Sequence, residues 1–423
     1  MHMFVKLKGR PIKVYYGWYI VMALAITETL SYGIIYYVFT VFITPMQAEL
    51  GWSIADITGA FSLGLLVSGF VTLPVGVWLD KYGARFLMTI ASILATLLLI
   101  AWAFIDSLPM FYVIWALLGV MMAMLFYDPA FVVVANWFNQ KRGRSLAIMT
   151  FVAGFASTIF LPLADYLMNL VGWRMAILIL AIVYGVVTIP LHAFVLRRRP
   201  QDMGLEPDGV IFLPDAIPLD PAKTVSARKA ILSRPFFWLT LAFGLSTLAS
   251  ISIRVHFIPY AITTGIDATT AAWLAGFIGI SQVLGRLFFA PLELRFSSKT
   301  VTVIMMSMIS LSFIILIISQ SFLFVSLFVL FFGAAFGAIT LVRPMILAEL
   351  YGVVNYGRIN SIMAFIMMLV VTGAPIGTGL LYDWFGSYQP ILWVLCFIGI
   401  LSVLAILKLP SEIEPHVIPS GAK

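Results

Sequence analysis

The sequence predicts an all-α membrane protein, with twelve transmembrane helices arranged as two six-helix repeats. Three observations predict this. The 423 residues are 62% hydrophobic and only 10% charged, with a mean hydropathy of +1.07, against about 25% charged in a soluble chain. The apolar residues gather into twelve runs, most of which meet the ~20 residues needed to cross a bilayer. The first six runs match the last six at one constant offset.

The runs fall at about 15–40, 54–79, 86–105, 109–137, 142–168 and 173–196, then 236–264, 269–293, 299–319, 321–350, 356–383 and 388–409. The first is too long for the apolar core of a signal peptide and is followed by Tyr-rich sequence, so it is expected to stay as the first membrane helix. Cations set the orientation. Of the 25 Lys and Arg, three (Arg254, Arg286 and Arg343) lie inside spans and Arg174 sits alone at one edge. All the others fall on the opposite face. They include Lys6 to Lys13 before the first span, Lys81 and Arg85, Lys141 to Arg144, and the Arg197–Arg234 stretch. Positive residues are retained on the cytoplasmic side, so both termini are expected there. The net charge of +7 is thus a topology signal with a minor role at anionic lipid heads, and no nucleic-acid partner is implied. The single Cys396 cannot form an intrachain disulfide or a cysteine metal site.

Residues 197–235 form the one long polar stretch, rich in Pro and charge. It divides the chain into an N-terminal bundle (1–196), a cytoplasmic linker (197–235) and a C-terminal bundle with a short tail (236–423). A shift of 214 residues lays Val41 on Val255, Pro45 on Pro259, Gly51 on Gly265, Lys81 on Arg295 and Gly172 on Gly386. It also lays GRSLAIMTF (143–151) on GRINSIMAF (357–365). This is a duplicated six-helix unit, as in transporters whose site lies near the midplane where the repeats meet.

Between the second and third spans, GVWLDKYGAR (76–85) resembles the loop motif of the major facilitator superfamily, carried here by Gly76, Asp80, Lys81, Gly83 and Arg85. Asp80 can cap a helix end or pair with a neighbouring arginine, and Gly83 permits a tight turn. The second-half counterpart, APLELRFSSK (290–299), is degraded, with Leu294 in place of the Asp and Ser297 in place of the Gly. Within the superfamily the chain is most similar to the monocarboxylate porter and oxalate/formate antiporter branch. The similarity rests on YYGWYIV in the first span, WFNQKRGRSLAIMTFVAGFAS into the fifth, RRRPQDMGLEPDG after the sixth, HFIPYAITTGI closing the seventh and VLGRLFFAPL in the eighth. It implies the major facilitator fold, and it implies that Arg286 receives a substrate carboxylate. The eleventh-span lysine of dicarboxylate antiporters in this branch is missing, since residues 359–382 hold no cation.

Charges inside apolar spans are the candidate site. Each Arg or Asp at mid-membrane costs roughly 2.5–3.5 kcal/mol on insertion scales, so Arg254, Arg286, Arg343, Glu28 and Asp128 argue for a polar cavity. Arg286 precedes Arg295 by nine residues, about 13 Å of helix, which places it near the middle of a ~30 Å core. Its planar fork can hold a carboxylate by two parallel bonds. Glu28, Asp128, Arg254 and Arg343 lie on the first, fourth, seventh and tenth spans, which the resemblance makes cavity-lining. Asp128 is expected to pair with Arg343, and Glu28 with Arg254, either to gate a rocking motion or simply to keep helices in register. A carboxylate in a low-dielectric cavity holds a proton readily unless an arginine opposes it. Glu28 and Asp128 are therefore proton-coupling candidates, with His256 a lesser one. Tyr32, Tyr36, Tyr127, Tyr260 and Phe336 can shape the apolar part of the pocket, although each also suits packing or an interfacial belt. Asp165 reads as a hydrated residue at the outer edge. Gly373, Pro375, Gly377 and Gly379 allow the eleventh span to bend and pack closely.

The scattered histidines and the lack of a P-loop or metal spacing exclude an enzyme and call for no cofactor or metal. The expectation is a monomeric secondary transporter in an inner or equivalent plasma membrane, moving a small organic anion, a monocarboxylate, with a proton by alternating access. An anion antiporter or an efflux pump for amphipathic compounds is the alternative, and a non-transporting sensor the weaker one.

Overall fold

The computed structural model describes residues 4–7, 10–13, 15–138, 141–209, 227–293, 295–351 and 356–409, and nearly all are helical. Two short strands outside the expectation, β1 (Phe4–Leu7) and β2 (Arg10–Lys13), form an antiparallel hairpin ahead of the first helix. The helices are α1 (Tyr16–Leu50), α2 (Ile54–Tyr82), α3 (Ala84–Ala103), α4 (Leu108–Trp137), α5 (142–171) and α6 (173–195). After them come α7 (Arg234–Thr263), α8 (Ala268–Glu293), α9 (Ser298–Ile318), α10 (Phe322–Tyr351), α11 (Tyr356–Phe385) and α12 (Gln389–Leu407). The apolar run from Arg142 to Val195 is continuous, and Gly172 alone separates α5 from α6. Its φ of 78° and ψ of 162° lie outside the helix and cost little without a Cβ. The first helix runs on past residue 40 to Leu50, because Pro45 is accommodated inside it.

The helices form two compact units. Unit 1 holds Met1–Phe39 and Val67–Asp215, and unit 2 holds Thr40–Leu66 and Ala216–Lys423. The division therefore differs from a cut at the central loop, and hydrogen bonding supplies the reason. Thr40 Oγ1 donates to the Val255 carbonyl (2.7 Å), Ala55 N–H to Asp383 Oδ2 (3.1 Å) and Ile376 N–H to Ser62 Oγ (3.1 Å). The end of α1 and the first half of α2 are thus tied to α7 and α11 within unit 2. Gly379 of α11 sits so close to α2 that a Cβ there would lie 2.7 Å from Thr58 Oγ1 and 2.9 Å from the Ala55 Cα.

The loop after α6 is only partly a free linker. Trp137 Nε1 donates to the Arg197 carbonyl (3.1 Å), Tyr15 OH to that of Glu206 (3.1 Å), and Lys141 N–H to Asp208 Oδ1 (3.1 Å). RRRPQDMGLEPDG therefore docks on unit 1, while 210–226 lie outside the described residues.

Two irregularities of unit 1 lie beside intramembrane acids. In α1, residues Ser31–Tyr37 take the wider π-helical winding, which in general concentrates at functional sites. In α4, Phe126 is extended (φ −81°, ψ −167°) and a new helix starts at Tyr127. Pro129 explains the break, since it cannot continue a helix but is tolerated in the first turn of a new one.

In unit 2, α8 and α10 meet backbone to backbone at glycines. A Cβ on Gly285 would fall 2.0 Å from the Ala334 carbonyl oxygen, and one on Gly337 would fall 2.0 Å from that of Gln282. Gly333 and Gly337 make a G-x-x-x-G pair, the small-residue pattern that lets membrane helices approach. Because Gly285 adjoins Arg286, this contact also fixes where that arginine stands on α8. Gly337→Val is expected to lower stability by about 1–3 kcal/mol through overpacking against backbone that cannot yield. A melting curve of the detergent-solubilised variant checks this, and an unchanged midpoint would contradict the contact.

Candidate functional site

In unit 1, Glu28 lies one turn before the π segment of α1. It is fully buried (0% exposed), and neither carboxylate oxygen has a hydrogen-bond partner among the described residues. Asp128, by contrast, is exposed and stands in the first turn after the α4 break. There the free N–H groups of a helix start favour a negative charge. The two acids belong to one electrostatic cluster with Tyr32, Tyr127 and Tyr184. Tyr32 stacks on Phe126 at 4.2 Å between ring centroids and lies 4.7 Å from Tyr127, so the π segment of α1 packs directly on the α4 break. Tyr36 lies 6.2 Å from Tyr32, and Tyr127 stacks on Phe131. Three of the expected tyrosines, Tyr32, Tyr36 and Tyr127, thus form one aromatic wall beside both acids.

In unit 2, Arg286 is half-buried. Its Nε is buried without a partner, and the guanidinium makes no hydrogen bond or ion pair among the described residues. The other two arginines are engaged within the unit. Arg254 stacks over Phe336 at 4.8 Å, a cation–π contact, and Arg343 Nη1 approaches Met367 Sδ at 3.9 Å. Phe336, expected as a pocket wall, is therefore the partner of an arginine face. In each expected ion pair, Glu28 with Arg254 and Asp128 with Arg343, the acid belongs to unit 1 and the arginine to unit 2.

His256 is fully buried and bonded through both ring nitrogens, Nε2 to the Pro375 carbonyl (2.9 Å) and Nδ1 to Tyr388 OH (3.1 Å). A carbonyl can only accept, so Nε2 carries the proton and Nδ1 accepts from the tyrosine. The carbonyl it binds is that of the proline inside α11, so the ring ties α7 to α11 at that point. Tyr260 is also fully buried and stands edge-on to Tyr388 at 5.9 Å.

In the inner-loop motif, Gly76 is half-buried near the end of α2, and the Asp80 side chain lies outside the described residues. Gly83 has φ 78°, and a Cβ there would meet the Arg198 side chain at 2.6 Å. Arg198 donates to the Lys81 carbonyl, and Arg85 Nε to that of Ala193 (2.8 Å), so the motif is clamped to the end of α6. In the degraded repeat of the motif, Ser297 accepts from Thr300 N–H (3.2 Å) and caps α9, which is a local reason for a serine where the first copy has glycine.

Asp165 is not a hydrated edge residue. It is 1% exposed and accepts from Asn169 Nδ2 (3.2 Å), because the helix turns that face inward. Arg174, the lone cation at its edge, is paired. It bonds Asp106 at 2.7 Å and the Ala103 and Ile105 carbonyls, closing the end of α3. A buried polar row of Ser31, Ser92, Tyr184, Thr188 and His192 in unit 1 escaped sequence reading. The i, i+4, i+8 spacing of Tyr184, Thr188 and His192 was the available signal.

The Major Facilitator Superfamily profile matches residues 24–263 and 247–423. The chain is 24% identical to monocarboxylate transporter 13 of Rattus norvegicus over 379 residues, covering 88% of this chain and 84% of that protein. It is 24% identical to the oxalate:formate antiporter of Oxalobacter formigenes over 235 residues, 55% of this chain and 53% of that protein. Its fold is similar to that of the nucleoside transporter NupG, with TM-score 0.70 at 13% identity, covering 92% of this chain and 99% of that one. A bacterial homologue of the human lysosomal transporter Spinster, solved inward-facing, gives TM-score 0.66 at 16% identity, covering 93% and 95%. The apolar helices, the profile match and the similar proteins agree: this is a multi-pass membrane transporter related to the monocarboxylate transporters, and the chain belongs to the Major Facilitator Superfamily.

Proposed function

We propose that the chain is a proton-coupled carrier of a small organic monoanion, with Arg286 receiving the carboxylate and Glu28 carrying the proton. The observation that carries this reading is the Arg286 guanidinium, whose buried Nε has no partner among the described residues. A half-buried cation inside a membrane span with no anion beside it is costly, and a carboxylate ligand removes that cost. Glu28 supports the proton half. A buried carboxylate with no hydrogen bond is equally costly, and taking up a proton neutralises it. Similarity to proteins named monocarboxylate transporters supports the substrate class, and the one-sided cations support a cell membrane location with both termini cytoplasmic.

A charge count makes the preference specific. Arg254 and Arg343 have contacts inside unit 2, and α11 supplies no cation between 359 and 382. A ring face and a thioether cancel no charge, so the preference rests on Arg286, which makes no hydrogen bond or ion pair among the described residues: one such arginine balances one negative charge. Lactate-like monoanions are therefore expected to compete better than oxalate-like dianions in proteoliposome uptake driven by a pH gradient. Tighter binding of a dianion would show that a second arginine is available. Exchange antiport is the alternative, and the similarity to an oxalate:formate antiporter favours it. Net uptake into vesicles with no internal substrate separates the two, since an obligate antiporter gives none.

A further inference from the structure

We propose that the proton leaves Glu28 through the interior of unit 1, along Tyr184, Ser92 and His192, to the end of α6 that precedes Arg197. This rests on the reading of Glu28 as the proton carrier. Tyr184, Thr188 and His192 lie on one face of α6, and the eight residues from first to last span about 12 Å of helix. Ser31 of α1 and Ser92 of α3 close on this face, and all six side chains, Glu28 included, are essentially inaccessible to solvent. The Tyr184 hydroxyl lies 3.2 Å from Ser31 Oγ and also interacts with the Ser92 and Thr188 side chains, while Glu28, whose oxygens make no hydrogen bond among the described residues, acts on it through its charge. Ser92 Oγ lies 2.8 Å from His192 Nδ1 and 2.9 Å from the Met88 carbonyl it donates to.

The last step has an open end. His192 Nε2 is buried and has no hydrogen-bond partner among the described residues, although the ring sits in the final π-helical turn (Leu191–Val195), next to the cation-rich loop. Groups facing this turn from the neighbouring helices are Tyr16 of α1, whose hydroxyl donates to the Val195 carbonyl, and Arg85 of α3, which donates to that of Ala193. Both bond backbone, and the ring itself meets Ser92 and the Met88 carbonyl. Hydroxyls and imidazole each donate and accept, so the row can hold its protons in more than one arrangement without moving heavy atoms. Intramembrane chains of ionisable and polar groups that lead from a buried acid to one face serve proton transfer.

Net uptake and exchange separate the two roles. Net proton-driven uptake requires the empty carrier to release its proton before it returns, whereas exchange of internal for external substrate proceeds with the proton retained. Tyr184→Phe and His192→Asn, each purified and reconstituted after its melting temperature and gel-filtration profile are checked, are therefore expected to lose net uptake by about tenfold or more. Counterflow should stay within about twofold of the parent, as only proton transfer is interrupted. Should one variant fail to fold, Ser92→Ala replaces it. If net uptake and counterflow fall together, or neither changes, while Glu28→Gln still loses net uptake, the path is wrong and Glu28 stands. If Glu28→Gln keeps normal net uptake and pH dependence, the proton reading of Glu28 fails and the path fails with it.

Discussion

Replacing Arg286 by lysine is expected to leave insertion and folding intact and to cut transport of a small carboxylate by roughly 10- to 100-fold, the equivalent of losing one or two charge-assisted hydrogen bonds. The side chain has no hydrogen bond or ion pair among the described residues, so the exchange removes nothing that holds helices together. Gly285 and its contact with Ala334 keep α8 in place whichever cation follows. What changes is geometry. The guanidinium presents a planar fork that matches both carboxylate oxygens, and an ammonium offers a point charge on a flexible stem. Initial uptake rates in proteoliposomes, with ligand-induced thermal shift measured in parallel, check the outcome. Full activity in the lysine variant would remove Arg286 from the binding site.

Glu28→Gln is expected to abolish net proton-driven uptake while counterflow continues, because glutamine keeps the shape of the side chain but cannot exchange a proton. The neutral amide also removes a buried charge that no hydrogen bond stabilises, so the variant should be at least as thermally stable as the parent. Asp128→Asn is the informative contrast. Asp128 is exposed and sits where a helix start favours its charge. If it carries the proton instead, its variant and not that of Glu28 will lose net uptake. If it is a fixed partner of a buried cation, its variant will melt lower, by about 3–5 kcal/mol on the usual scale for breaking such pairs, with uptake and exchange falling together. Melting temperature, exchange and net uptake on the two variants therefore assign the proton to one acid.

Much of the architecture was legible because a bilayer leaves few solutions. Twelve apolar runs, cations kept to one face and a constant repeat offset each follow from the cost of putting backbone or charge in hydrocarbon. Even the α5–α6 boundary, where the apolar run never stops, is marked in the sequence by Gly172, the repeat partner of Gly386, and both glycines adopt positive φ. The intramembrane charges were equally visible, since composition alone makes Glu28, Asp128 and Arg286 exceptional. Their individual states were not, because hydropathy gives two acids in apolar spans the same status.

Folding separated them. Glu28 is sealed without a hydrogen bond while Asp128 is exposed at a helix start, and that difference depends on the π winding after Glu28 and the break at Phe126. Arg254 and Arg343 acquired contacts, while Arg286 has no hydrogen bond or ion pair among the described residues, because only side chains brought from distant spans can satisfy or fail to satisfy a guanidinium. His256 became a strut between α7 and α11, since the carbonyl it meets lies 119 residues away. Segment 40–66 joined unit 2 for the same reason, through bonds to Val255, Ile376 and Asp383 that no local pattern encodes. Apolar length and charge placement are properties of a chain segment and can be read along it. Hydrogen-bond satisfaction is a property of pairs, and those pairs exist only once the helices have packed.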